Sequence, residues 1–169
     1  AGFAPDAIRV YIEQVAHGVD NLLGGYRAAG HSFHGIIANS LSQYVHLGDA
    51  STMTDNQVGD PALGPKADDR WAFTNHDTAL EYMVAGTLAA SHRVLKDAMP
   101  DLAEACLATA VQVWETESAH EPVEQRGAYV PRGAEAQEVL AAVELFLATG
   151  EAHYRERLVE LWALVEEHP

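Results

Sequence analysis

Positive charge is scarce in this sequence. Its 169 residues include 10 Lys and Arg against 25 Asp and Glu, which gives a net charge of −15 at pH 7. A field of this sign repels nucleic-acid phosphates and anionic lipid headgroups, so we expect neither a nucleic-acid partner nor a membrane partner. Apolar runs are also short, and none approaches the roughly 18 residues of a transmembrane span.

Cysteine is nearly absent. Cys106 stands alone, which excludes a disulfide within this chain and a site built from several thiolates. On a helical pattern its neighbours are apolar, so we expect Cys106 to be a small buried hydrophobic residue. The first ten residues lack the basic and apolar regions of a signal peptide, but a removed signal leaves no trace. The composition therefore leaves the compartment open.

The remaining sequence is dominated by helical patterning and fits one domain over 1–169. Residues 1–29 predict a helix over about 6–28, because apolar residues recur there at helical spacing. The pair Gly24-Gly25 leaves an earlier end of this helix as an alternative.

Residues 30–76 predict an irregular segment with a long loop. The stretch 34–47 fits either a helix or a pair of short strands, and 48–76 is rich in Gly, Pro, Asp and Thr. Long loops inside a compact domain are usually functional. The acidic part of this loop, 49–69, has three possible interpretations: a solvated loop, a sugar-binding loop or a cation-binding loop.

From residue 77 onward the sequence predicts four helices in two hairpins. Pro100 is expected at the start of a helix and Gly150 just past the end of one. The hairpins cover 77–118 and 133–168, and 119–132 connects them. The predicted helices run over 78–96, 100–118, 133–149 and 151–167.

The two hairpins are copies of one repeat. A shift of 51 residues places Leu95 on Phe146, Ala103 on Tyr154, and Leu107 on Leu158. A single helical hairpin cannot bury all of its apolar surface, so such units stack against neighbours.

Three stretches resemble segments of glycoside hydrolase family nine, the cellulase-like enzymes. QYVHLGD (43–49) is similar to the family's QVGD segment, and 68–115 is similar to the stretch around ETAAALAAAS and its partner helix. RGAEAQEVLAAVELFLATGEAHY (132–154) is similar to SGYQDELxWGAxWLYxATGDxxY. The resemblance implies an all-α fold of antiparallel hairpins, part of an (α/α)6 barrel.

The resemblance also implies hydrolysis of β-linked polysaccharides with inversion. That chemistry uses an aspartate pair in a DAGD motif and a glutamate acid, with the carboxyl groups about 6.5–9.5 Å apart. GDAS at 48–51 belongs to the QVGD match, so no DAGD motif is present. We expect the motif to lie before Ala1 and the acid after Pro169, and we therefore assign no catalytic residue in this chain.

Length supports the same interpretation. Six hairpins of about fifty residues need on the order of 300 residues, so this chain is expected to be the middle of a barrel. We expect it to be inactive alone and to self-associate through its open seams. The family resemblance favours a secreted or periplasmic location.

Three residues are candidates for binding an oligo- or polysaccharide. Asp49 is expected to hydrogen-bond a sugar or to orient the adjacent catalytic loop. Trp71 and Tyr129 are expected to stack on sugar rings, although Trp71 could instead pack its loop onto the barrel. Trp114 and Trp162 have core spacing on predicted helices, so both are expected to be packing residues.

We expect no metal or cofactor. Family members often bind calcium through SGYQDE, but the corresponding ligand positions here lack the charged groups; of the nearby carboxylates, Glu135 and Glu138 are the candidates to replace them. His31 and His34 lack a carboxylate close in sequence, and Glu117 with His120 is half of a bundle di-iron motif without its second copy. The calcium-site positions are Arg132, Gly133, Ala136 and Gln137.

A second hypothesis remains open. The repeat also fits a non-catalytic helical-hairpin module that binds a protein, a peptide or a carbohydrate. A sugar bound at Trp71 would favour the glycosidase interpretation, whereas a partner chain in an apolar groove would favour the module.

Overall fold

The computed structural model describes residues 5–38, 50–53, 70–73, 75–125 and 132–167. None of the helices in these ranges is long and apolar enough to cross a membrane. The elements are α1 (Pro5–Ala29), β1 (Gly35–Ala38), β2 (Ala50–Met53), β3 (Arg70–Phe73), α2 (Thr78–Leu95), α3 (Pro100–Glu117), α4 (Ala134–Thr149) and α5 (Ala152–Glu167).

The first helix has the bounds that the sequence predicts, within one residue at each end. It continues through Gly24 and Gly25, so the alternative of an early end is wrong. Leu23 and Tyr26 on either side are buried in the core, and their packing outweighs a cost of about 1 kcal/mol per helical glycine. The helix ends at Ala29, and the next residue, Gly30, has φ +75° and donates its N–H to the Tyr26 carbonyl at 2.8 Å.

Short strands follow: β1 lies in the stretch 34–47, where the sequence allows a helix or strands, and β2 and β3 lie in 48–76, which the sequence predicts as a loop. β1 and β2 both pair antiparallel with β3, in the order β1-β3-β2. In this register Trp71 in the central strand is opposite Ile37 and Thr52. The sheet therefore joins three pieces of the segment immediately before α2.

The two predicted hairpins are confirmed, with helix bounds within one residue of those expected. Pro100 begins α3, and Gly150 caps α4 with φ 74° while its N–H bonds the Phe146 carbonyl at 2.8 Å. Arg93 of α2 forms an ion pair with Glu144 of α4, and these two residues are themselves 51 positions apart. The copies of the repeat thus pack side by side.

Helices α2 and α4 lie in contact and run parallel. Gly86 of α2 lies against the backbone of Ala141 of α4, and both residues are about two turns into their helices. The N-terminal residues Thr78 and Ala134 line one common pocket. Helix α3 packs on α2, and α5 packs on α4. Helices α2 and α4 therefore form one layer and α3 and α5 pack on it as a second, as part of an α/α barrel requires.

Burial confirms most of the predicted core and corrects one residue. Cys106 and Trp114 are buried, as expected. Trp162 is 59% exposed, so its assignment to the core is wrong. The helical spacing is correct, but no described helix covers this face of α5 and the adjoining face of α4. Other large apolar side chains exposed on these two helices are Leu140, Leu147 and Val159.

Candidate functional site

The N-terminal end of α2 is held by a network of hydrogen bonds. Asp77 caps the helix: its Oδ1 accepts from the Leu80 N–H at 2.8 Å, and its Oδ2 accepts from the Gln125 N–H at 2.8 Å. Thr78 donates its N–H to the Val123 carbonyl at 2.9 Å, and its hydroxyl accepts from the Val123 N–H at 3.0 Å. The segment after α3 is thereby fixed across the start of α2.

Five titratable residues gather beside this cap, and we call them the His–Glu cluster. Two are buried glutamates, one in the first turn of α2 and one at the end of α3. The three histidines come from the segment after α1, the residue before the α2 cap and the turn after α3. The cluster consists of His31, His76, Glu81, Glu117 and His120.

Glu81 is 1% exposed and accepts two hydrogen bonds from Ser32. The Ser32 N–H lies 2.7 Å from Oε1, and the Ser32 hydroxyl lies 3.3 Å from Oε2. Burial raises the pKa of Glu81 to about 7, and the nearby Glu117 carboxylate adds to the rise. The bonds from Ser32 oppose this shift because they favour the charged form. Through its hydrogen bonds with Ser32, Glu81 connects the chain after α1 to the start of α2.

Glu117 faces two imidazoles. Its side chain is 1% exposed, with Oε1 3.0 Å from His76 Nε2 and Oε2 3.5 Å from His120 Nε2. The Nδ1–H of His120 donates to the Glu121 carbonyl at 2.7 Å. This bond, followed by the charge of Glu117, raises the pKa of His120. Glu117 thus connects the end of α3 with the residue before the α2 cap.

A pocket of about 570 Å³ opens beside the cluster, between α2, α3, α4 and α5. Tyr82 and Trp114 line it, with ring centroids 5.3 Å apart. Glu138 accepts two hydrogen bonds from Arg157 at its wall, Nε to Oε1 at 2.6 Å and Nη2 to Oε2 at 3.2 Å. Aromatic surface combined with a few fixed polar groups is typical of small-ligand sites.

The described structure places one of the three predicted sugar-binding residues. Asp49 and Tyr129 lie outside the described residues. Trp71 lies in β3, where its main chain pairs with the neighbouring strands. Along the chain, β3 directly precedes the α2 cap, and the connection containing residue 129 directly precedes α4. All three stay predictions.

Sequence reasoning separated groups that the fold brings together. His31 and Glu81 are 50 positions apart, yet their possible metal-ligand atoms and that of His76 lie within 4.8 Å of one another. Glu117 and His120, set aside as half a di-iron motif, combine with His76 in a second such group. The sequence signal for this second group was the spacing of three residues between Glu117 and His120. The contribution of His76 depends on how α2 and α3 pack.

His31 and His34 do not act as a pair. His34 donates its Nε2–H to the Asn75 carbonyl at 2.8 Å, and burial lowers the pKa of His34. His31 donates Nδ1–H to the Ser32 carbonyl at 3.0 Å and lies beside His76 instead. The carboxylate that the sequence did not place near His31 is Glu81.

The family-type calcium positions offer few free oxygen ligands among the described residues. The Gly133 carbonyl already accepts from the Ala136 and Gln137 N–H groups at 3.1 and 3.3 Å. Glu138, a possible replacement ligand, is held by Arg157. A hard dication needs six to eight oxygens, and Glu135 alone remains as a free carboxylate among the positions considered.

Comparisons with known proteins agree with this architecture. The family model for glycosyl hydrolase family 9 matches residues 14–166. Among solved structures, the crystal structure of a metagenome-derived glycoside hydrolase family 9 endoglucanase matches with a TM-score of 0.60 and 20% sequence identity. The match covers 85% of this chain but 24% of that chain, so this chain spans about a quarter of its length. A comparison with curated proteins found no match.

Proposed function

Because the chain belongs to glycosyl hydrolase family 9 and its hairpins form part of an (α/α)6 barrel, we propose that it supplies central hairpins of an enzyme that hydrolyses β-linked polysaccharides with inversion. In this proposal the chain forms barrel wall and part of the glycan cleft. The reacting carboxyl groups come from other parts of the complete enzyme.

The parallel packing of α2 and α4 carries this proposal. It brings their N-terminal ends to one end of the molecule, at a common pocket. The chain segments that contain Trp71 and Tyr129 lead directly into these two helix ends. In stacked-hairpin folds, loops at one end of the helices form the binding surface. The arrangement therefore supports a glycan cleft at the start of α2 and α4.

The described glutamates support a non-catalytic role for this chain. Glu81 and Glu117 are buried, at 1% and 3% exposure. Both carboxylates are already engaged, Glu81 by Ser32 and Glu117 by His76, whereas inversion needs an acid and a base with a free water between them. The sequence contains no DAGD motif. The chain alone is therefore expected to leave glycans uncleaved.

Binding and cleavage can be tested together on the purified chain. Cello- and xylo-oligosaccharides are titrated by NMR while release of reducing ends is measured. We expect shifts that saturate in the millimolar range, no release of reducing ends, and at least fivefold weaker binding in Trp71→Ala. Tyr11→Ala is the matched control, because this aromatic residue is exposed in the first half of α1, whereas the other end of α1 leads to the start of α2.

The opposite results have distinct meanings. Release of reducing ends by the chain alone would overturn the assignment of the catalytic groups to other sequence. Absence of sugar binding, with a protein or peptide captured instead, would favour the helical-hairpin module. We further propose self-association of the chain through the exposed face of α4 and α5.

A further inference from the structure

We propose that His76, Glu117 and His120 form a binding site for one transition-metal ion of the Zn²⁺ type. Two imidazole nitrogens and one carboxylate oxygen meet between the end of α3 and the residue before the α2 cap. The three positions lie outside the four family-type calcium positions. A ligand set of two histidines and one carboxylate is a common coordination set for zinc and iron in proteins.

The distances suit a single ion. Bonds of about 2.0–2.1 Å in tetrahedral geometry place neighbouring ligand atoms roughly 3.3 Å apart. The Oε2 atom of Glu117 lies 3.2 Å from His76 Nε2 and 3.5 Å from His120 Nε2. All three ligand atoms lie within 4.8 Å of one another. The two nitrogen–oxygen separations therefore match the spacing expected around one ion.

The hydrogen bonds of His120 orient it as a ligand. A carbonyl oxygen can only accept, so the Nδ1 that bonds the Glu121 carbonyl carries the proton. In a neutral ring, Nε2 then presents a lone pair to Glu117, an arrangement that leaves two acceptors facing each other. A cation between them resolves this conflict. Metal-bound histidines usually donate their other ring N–H to a carbonyl or carboxylate in this way.

The negative charge around Glu117 and the solvent exposure of the two histidines both favour binding of a dication. Glu117 is buried beside a second carboxylate, Glu81, without a Lys or Arg partner among the described ion pairs. A dication would offset this negative charge. The side chains of His76 and His120 are 31% and 36% exposed, so an ion can enter from solvent. Glu117 and His120 also line the large pocket, where a water molecule can complete the coordination.

The proposed ion would act as a cross-link. It would join the last residue of α3 to the residue before the α2 cap, and so fasten the two ends of the first hairpin. A ligand that binds the folded state raises its stability in proportion to the logarithm of ligand concentration. The site should therefore raise the melting temperature in the presence of the metal.

The test uses the tag-free chain after removal of metals with a chelator. Zn²⁺ is titrated by calorimetry, and Co²⁺ by visible absorption, which distinguishes four-coordinate from six-coordinate ions. We expect one equivalent to bind, with at least tenfold weaker affinity in His76→Ala, His120→Ala and Glu117→Gln. His17→Ala is the control, because His17 is exposed on α1 and its loss should leave the affinity unchanged.

Thermal unfolding provides the second measurement. Zn²⁺ should raise the melting temperature of the wild type and of His17→Ala but not that of His120→Ala, whose substituted side chain is at the surface. Equal zinc affinity in the wild type and His120→Ala would overturn the site. Failure of the wild type to bind Zn²⁺ would also overturn it, and would leave a protonated His120 as the partner of Glu117. Neither result affects the proposed glycan cleft.

Discussion

Gly86 of α2 lies so close to Ala141 of α4 that a Cβ atom on Gly86 would be 3.2 Å from the Ala141 Cα and 3.4 Å from its backbone nitrogen. The neighbouring atoms are backbone, so they cannot move aside as a flexible side chain would. This contact sets how closely the two hairpin repeats approach.

Gly86→Val should therefore destabilise the fold. Added volume at this contact should lower the free energy of unfolding by about 1–3 kcal/mol. Gly18→Ala is the matched control: a Cβ there would have no atom within 4 Å, so the helix should gain up to about 1 kcal/mol. Urea unfolding of both variants measures the difference. A Gly86→Val variant as stable as the wild type would contradict the close packing of α2 on α4.

The double role of Asp77 gives a second prediction. Asp77→Ala removes the helix cap and leaves the Gln125 N–H without its acceptor. The expected loss of stability is about 2 kcal/mol, from roughly 1 kcal/mol for the cap and a similar amount for the orphaned donor. Asp77→Asn keeps one oxygen acceptor and should lose about half as much. Equal stability of the two variants in denaturant unfolding would contradict this prediction.

Glu138 and Arg157 should be energetically coupled. Their ion pair has two hydrogen bonds, and the Glu138 side chain is 9% exposed. Fork-shaped pairs of this kind are stronger than single surface contacts. A double-mutant cycle with Glu138→Ala and Arg157→Ala should give a coupling of about 1 kcal/mol or more.

An exposed pair in the same chain is the control for that measurement. Arg9 and Glu13, one turn apart on α1, are 63% and 50% exposed and should couple by about 0.3–0.5 kcal/mol. Equal coupling energies for the two pairs would show that burial adds nothing to the Glu138–Arg157 interaction.

Cys106 should react slowly with alkylating reagents in the native protein. Burial raises its pKa from the usual 9.0 to about 11, and the thiolate is the reactive form. Iodoacetamide labelling at pH 8 should be at least a hundredfold slower than in urea, since the thiolate is rarer and enclosed. The native rate should rise about tenfold per pH unit between 8 and 10. A native rate equal to the unfolded rate would place the thiol at the surface.

The exposed face of α4 and α5 should drive self-association. Leu140 and Leu147 are 57% and 54% exposed and lie two turns apart on α4. Light scattering should show mass rising with concentration in the wild type, and the double change of both leucines to Glu should shift the chain toward monomer. Met99→Glu, at the exposed turn between α2 and α3, is the control. A monomeric wild type at all concentrations would contradict this prediction.

The family resemblance and most of the helix bounds could be predicted from the sequence. Pro100 and Gly150 act on the backbone at their own positions, so their effect is readable from local sequence. Gly24 and Gly25 do not end α1, because their local cost is outweighed by packing of α1 against other helices. Trp162 was wrongly predicted to be a packing residue, because helical spacing shows which residues share a face but not which faces another helix covers.

Sequence alone determined the periodic and local features of this protein: two copies of a helical hairpin, their turns, and a single buried thiol. Tertiary structure alone decided that β3 pairs with two distant strands and that His76 meets Glu117, 41 positions away. The physical reason is the distance along the chain over which each effect acts. Backbone preferences and apolar periodicity act within one turn or one element, whereas contacts between ionisable side chains depend on how complete helices pack.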